Sequence, residues 1–543
     1  MRSPARLAAL ALLLGGGLAG GLALPSRAGP GQTTTAPTSP ATTTLAARGV
    51  LALTGHGWGH GIGMSQWGAY GYAQHGWTYD RILAHYYPGT TLGAAPTRTI
   101  RVLVAAARRV TLGAGAAWRV RDAAGTTVRL DPARPLVLGP ALRVDGKALR
   151  PPLLFTSPQP LAVDGAAYRG RLVVARAGRA LQVVDAVPLE AYVKGVVPEE
   201  MPSNWAPQAL EAQAVATRSY ALANLVRGGT FDVYGDERSQ IYGGVAAETP
   251  TASAAVDATR GRVVLYDGKV ADTMFFSTSG GRTASAAEAT GRAVPYLVSV
   301  PDPYDGLSPY HDWGPVLLDL SRVAKRLKLS APIDDLQAAT GPSGRVTLAT
   351  VIAGGETRTF TGTQLRTLLG LRSTWFTPTL LELLPPPKPV AYGGAGSLGG
   401  FVRGAAADVS LEARPAGGDW APAGQLQLGA DGVVAALVRP RVTTDYRLAM
   451  GSVRAGLARV AVAPLLQVAA TGRSLSGTIR PSLAGAPVAL QRQDGASWTP
   501  VATSQTDATG DWSLAAPGPG AYRVRAAPGH GLVPAVSATL QVQ

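Results

Sequence analysis

Two stretches of the chain carry side chains suited to chemistry. Residues 55–89 hold four of the chain's six histidines (His56, His60, His75, His85) and three of its ten tryptophans (Trp58, Trp67, Trp77). Seven glycines fall between Gly55 and Gly71. Glycine lets a backbone approach a ligand closely, while His, Gln and Trp bond to and stack on a polar ring. That composition predicts a polar-ligand site; a turn-rich capping segment with aromatic filler is the plainer reading. The second stretch is Pro198-Glu199-Glu200-Met201-Pro202, expected between an apolar strand end at residues 193–197 and a long helix. Two prolines stiffen it, and Met201 must be extended because it precedes Pro202. A rigidly held, partly desolvated Glu is suited to general acid work near neutral pH; the alternative is an exposed loop acid.

Other chemistries find less support. The chain has no cysteine, which removes thiolate nucleophiles and Cys-ligated zinc. His56 and His60 are four apart, but Gly57 and Gly59 disfavour the helix that would align them, and no HExxH occurs. No metal site is expected, and His311 and His530 read as structural or exposed. There is no GxSxG elbow. Ser277-Thr278-Ser279-Gly280-Gly281 follows an apolar strand, and reads equally as a donor-rich ligand loop or as an ordinary turn.

The elements that must position these groups follow from capping and periodicity. Ser65 caps a helix over 66–74, and Thr78 caps another over 79–87, ended by Pro88-Gly89. Short β-rich runs at 100–105, 118–121, 171–174 and 181–184 indicate antiparallel sheet. Pro207 starts the longest helix; Leu210, Ala214, Thr217, Ala221 and Leu225 form its stripe, and Gly228-Gly229 end it. Strands are expected at 262–266 and 272–277, and short helices at 321–327 and 361–369.

At the amino end, Arg2 and Arg6 precede an apolar run, and Ser26-Arg27-Ala28 offers a small-x-small cleavage site. This predicts a signal peptide over 1–28, a disordered linker over 29–50, and no transmembrane segment after cleavage. The expected localisation is secreted, extracellular or cell-wall associated. The net charge of +16 favours polyanions, for an exported chain anionic wall polymers; no nucleic-acid motif is present. A triple proline and a glycine-rich run place a linker at 386–400. Beyond it, Trp420 and Trp498 sit in matching positions of a repeat of roughly 78 residues. The repeat divides into β-sandwich modules at 401–465 and 466–543; the two tryptophans read as sugar platforms or as packing. The fold class is therefore an α+β catalytic region (antiparallel sheet with helices) over 51–385, followed by two small all-β sandwich-like modules.

Several motifs in one order then resemble a known family. VVPEEMP at 196–202, AQAVATRSY at 212–220, QIYGG at 240–244, TRG at 259–261, STSGG at 277–281 and LGLRSTWF at 369–376 closely resemble the stage II sporulation protein D / amidase-enhancer (SpoIID/LytB) family. The resemblance implies a peptidoglycan-directed protein. In the sporulation branch it implies lytic transglycosylation of glycan strands freed of stem peptides, with the general acid/base Glu, the residue before Met-Pro, at Glu200. It implies that His60, Ser65, Gln66, Arg218, Gln240, Tyr242, Ser277 and Ser279 bind substrate, with Trp58 and Trp67 shaping the cleft. No cofactor is implied. Members that bind zinc carry Cys and His before Gln-x-Tyr; here the stretch is YGDERS at 234–239, so no zinc is expected. HGIGMSQ at 60–66 precedes Glu200, whereas in the sporulation protein it follows, so residues 55–90 must dock near Glu200. The partner implied is the glycan strand of peptidoglycan, with a cell-wall amidase as a further one. The alternatives are a non-catalytic glycan-binding enhancer of an amidase and, suggested by the tandem β modules, an adhesin or scaffold.

Overall fold

The computed structural model describes residues 42–226, 228–404 and 408–543. The expected signal peptide, and the tether up to residue 41, lie outside the described residues. Among the described residues, no helix is long and apolar enough to cross a membrane.

A seven-stranded sheet forms the base of the α+β region. Its central strands are Thr99–Ala107, Ala180–Pro188 and Arg171–Ala177, paired antiparallel, with Val233–Tyr234 added parallel at one edge. Alternation places Ile100, Val102, Leu172, Val174, Leu181 and Val183 on the buried face. Two helices cover that face: α3 (Leu189–Glu200) and α4 (Pro207–Ala223). Ahead of them in the chain lie α1 (Gln66–Gln74) and α2 (Tyr79–Tyr86). These two form where expected, Ser65 capping α1 by accepting from the Gly68 amide at 3.1 Å.

Of the strand expected at 272–277 only Phe275–Phe276 forms, and two further local expectations fail. Residues 193–197 are not a strand end; they lie inside α3, so Glu200 closes a helix rather than standing in a loop. Leu189, Tyr192, Val193, Val196 and Val197 recur at helical spacing and are buried, and this stripe outweighs the β preference of three valines. Helix α4 ends at Ala223, short of the glycine pair. Asn224 donates to the Tyr220 carbonyl at 3.0 Å and to Asp272 at 2.9 Å, which turns the chain and leaves Leu225 exposed.

The boundary expected at 386–400 is bridged by sheet. Strands Asp312–Asp319, Gly49–His56, Phe376–Leu384, Gly396–Arg403 and Val433–Val438 form one sheet, with Leu381 facing Val402. Residues 49–50, expected as linker, are part of it. A second sheet built on Val409–Pro415, Thr444–Met450 and Val453–Val460 packs against it, and Val50, Leu381, Leu383, Leu411 and Leu448 share one core. The first of these sheets thus takes three of its five strands from the region before residue 386. Residues beyond 465 have their own core between two sheets, with Leu475, Ile479 and Trp512 facing Val488, Tyr522 and Val524. Trp420 and Trp498 lie outside both cores, under Arg447 at 4.0 Å and Arg523 at 4.4 Å respectively.

Candidate functional site

Helix α3 leaves the strand Ala180–Pro188 directly and delivers Glu200 at its last position. Pro198 contributes no N–H to the last turn, and Met201 is extended (φ −138°, ψ 134°) ahead of Pro202. The Met201 amide still closes the helix on the Val197 carbonyl at 2.9 Å. Glu200 is therefore held by backbone geometry on both sides.

Residues 55–90 dock against this end. Met64–Ser65 pairs parallel with Phe275–Phe276. The close approach requires glycine at 63, where φ is +77° and a Cβ would stand 2.0 Å from the Met274 carbonyl. Gln66, first residue of α1, donates its side-chain amide to the Glu200 carbonyl at 2.8 Å. Burial, reinforced by the charge of Glu199 and opposed by a hydrogen bond from Gln66, pushes the Glu200 carboxyl up to about 7. The phenols of Tyr192 and Tyr220 are raised chiefly by burial, and both also respond to the Glu200 charge. Glu199 turns instead onto Gly243, where a Cβ would meet its Oε1 at 2.7 Å.

Three half-buried rings lie next to these residues in the chain. Trp205 stacks on Tyr70 (4.6 Å, 22°) and meets Trp67 edge-on at 4.6 Å. Trp67 follows Gln66 in the chain, and its amide donates to the Ser277 carbonyl at 3.0 Å. Ser277 is half-buried, its hydroxyl 3.2 Å from that of Thr278. Gln240 is buried beneath α3 and accepts from the Tyr192 hydroxyl at 3.2 Å; among the described residues its Nε2 has no partner. Glu200, Gln66 and Ser277 are thus linked through consecutive contacts, with Gln240 supporting α3.

The other residues expected to touch substrate have internal partners. Arg218 is fully buried, paired with Glu190 at 2.8 Å and donating to the Arg262 carbonyl at 2.8 Å. Glu190 also accepts from the Gly261 amide at 3.0 Å, so the AQAVATRSY and TRG motifs are joined by this ion pair. Tyr242 is buried, its hydroxyl donating to Asp185 at 3.0 Å and its ring lying where a Cβ on Gly195 of α3 would stand. Ser65 is spent on the α1 cap and on Asp305, and the Ser279 hydroxyl accepts from Gly281. His60 accepts from the Ile62 amide through Nδ1 and donates Nε2–H to the Phe275 carbonyl. Desolvation, with the charges of Arg366 and Arg345, pushes its pKa down to about 4. The polar groups of these five residues are engaged by partners within the protein.

Sequence reasoning passed over Trp205 and Tyr70, although Trp205 lies five residues after Glu200. It also passed over Asp305, which accepts from Ser65, from the Ser279 and Gly280 amides and from His311, so that one buried carboxylate ties three loops. Its neighbour Asp302 is raised above the usual carboxylate range by burial and by the Asp305 charge. Among the described residues, no group of three or more His, Cys, Asp or Glu is placed to hold a metal ion.

Comparison with known proteins agrees with this region of the chain. Residues 177–266, which contain α3, α4 and Gln240, match the family model described as Stage II sporulation protein. Stage II sporulation protein D of Bacillus subtilis is 32% identical over 215 residues, 36% of this chain and 61% of that protein. The amidase enhancer of the same organism is 34% identical over 148 residues, 27% of this chain and 20% of that protein. An uncharacterised protein of Brachyspira hyodysenteriae is 37% identical over 151 residues, 27% of this chain and 41% of that protein. The chain thus covers less than two thirds of each relative's length.

Proposed function

Because the chain belongs to the SpoIID/LytB family, whose model it matches over residues 177–266, we propose that it acts on the glycan strands of the cell wall as a lytic transglycosylase, with Glu200 as general acid and base. The observation that carries this reading is Glu200 itself: a part-buried carboxyl at the end of α3, raised to about 7, its carbonyl bonded by Gln66, which precedes Trp67 in the chain. A carboxyl poised there is half protonated at neutral pH and serves in both directions of proton transfer.

In this reading the rings of Trp67, Tyr70 and Trp205 stack on sugar, with Gln66 and Ser277 at the wall. Protonated Glu200 gives its proton to the oxygen linking C1 of N-acetylmuramic acid to N-acetylglucosamine, and the C1–O bond breaks. Positive charge develops at C1 and the ring oxygen. The Glu200 carboxylate then takes the proton from the C6 hydroxyl of the same sugar, whose oxygen closes on C1. A 1,6-anhydromuramoyl end forms, Glu200 ends protonated, and no water is consumed. A second carboxylate is not required, unlike in the usual glycosidase pair. Secretion to the cell wall belongs to the same reading.

The similarity to the amidase enhancer supports a second reading, in which the same residues bind glycan without turnover. Incubation of peptide-free strands with the protein in heavy-oxygen water separates the cases. Transglycosylation predicts shortened strands with no heavy oxygen at the new end. Incorporation of heavy oxygen contradicts the mechanism, and intact strands that remain bound favour the enhancer.

A further inference from the structure

A second aromatic cluster continues the wall on which Trp67 is anchored. Trp58 is 41% exposed and meets Tyr310 edge-on at 4.4 Å. The exposed Arg372 guanidinium lies 4.6 Å from the Tyr310 ring and 5.3 Å from the Trp58 ring. Among the described residues no carboxylate pairs with Arg372; Asp312, two residues after Tyr310, is taken by His56 at 2.6 Å. Trp58 exchanges backbone hydrogen bonds with Thr278 at 2.8 and 3.0 Å, and the Gly59 amide donates to the Arg372 carbonyl at 3.0 Å. Trp67 is bonded to Ser277, the residue before Thr278, so the two tryptophans are anchored on neighbouring residues, about 3.8 Å apart along the chain.

An arginine held against two rings and lacking an acid keeps its planar fork of donors for a ligand. Beside it is an exposed indole face. Together they suit a ring that bears a carboxylate. On a muramic-acid strand that group is the lactyl carboxyl at C3, free when the stem peptide has been removed and an uncharged amide when the peptide is attached.

We propose that Trp58, Tyr310 and Arg372 form a subsite for a muramoyl residue with a free lactyl carboxylate, Arg372 pairing with the carboxylate and Trp58 stacking on the sugar. This rests on the glycan-strand reading of the Glu200 site and makes Arg372 the residue that distinguishes peptide-free strands from substituted ones.

The test is a calorimetric titration of the full chain in a Glu200→Gln background, which prevents turnover. Three oligosaccharides of equal length are compared: a peptide-free muramoyl strand, the same strand with its lactyl carboxyls converted to methyl amides, and a chitin oligosaccharide. The peptide-free strand should bind most tightly, and Arg372→Gln should weaken it about tenfold, as expected for a charge-assisted hydrogen bond, leaving the other two within twofold. Trp58→Ala should weaken all three. Equal affinity of Arg372→Gln and its parent for the peptide-free strand overturns the subsite, as does an equal loss for all three ligands. If no strand binds the parent protein, both the subsite and the glycan reading fail; if strands bind without regard to the carboxylate, only the subsite fails.

Discussion

Gln66 and Glu200 lie 134 residues apart in sequence, and the Gln66 side-chain amide donates to the Glu200 carbonyl at 2.8 Å. The first residue of one helix thus touches the last residue of another. The Gln66 side chain also lowers the Glu200 carboxyl against the upward push of burial. Gln66→Ala should therefore move the Glu200 titration above 7. The limb of the pH–rate profile that requires the protonated acid should shift to higher pH; an unmoved or downward-moving limb would contradict this electrostatic role.

The same carboxyl gives a stability prediction. Glu200 is raised from 4.5 to about 7 in the folded chain. Below pH 4.5 it is protonated in both states and costs nothing. As pH rises toward 7 the unfolded chain loses the proton first, so stability falls, and above 7 the full cost is present. Relative to the parent, Glu200→Gln should gain on the order of 3 kcal/mol at pH 8 and little at pH 4. Urea denaturation at the two pH values measures the difference; equal effects would show that burial does not perturb this carboxyl.

Arg218 is expected to matter for folding rather than for sugar contact. Its removal leaves Glu190 and the Arg262 carbonyl without their buried partner. Arg218→Ala should cost about 3–5 kcal/mol in denaturant unfolding. A variant as stable as the parent but impaired in glycan binding would return Arg218 to the groove.

Trp205 should behave in the opposite way. It is half-buried and stacked on Tyr70 at 4.6 Å. Trp205→Ala should raise KM about tenfold while costing no more than about 2 kcal/mol of stability. A fall in kcat with KM unchanged would mean that the ring does not carry sugar.

The sequence was most readable where local chemistry decides. Ser65 as a cap and Pro207 at a first turn placed α1 and the start of α4 correctly, because capping and proline geometry act within one turn. Helix α3 was misread because a short valine-rich run suits a strand as well as a buried helix, and only packing of Tyr192, Val193, Val196 and Val197 onto the sheet decides. Arg218, Tyr242 and Ser279 have ligand-binding side chains, yet their burial arises from neighbours far along the chain. The proline- and glycine-rich stretch at 386–400 gave no sign that Phe376–Leu384 and Gly396–Arg403 pair across it.

The most direct test of the central claim is mass spectrometry of peptide-free glycan strands after incubation with the full chain and with Glu200→Gln, both shown to be folded by circular dichroism. The account predicts 1,6-anhydromuramoyl ends from the parent and none from Glu200→Gln. Anhydro ends produced equally by both proteins would contradict the assignment of Glu200, and none from the parent would contradict the activity itself.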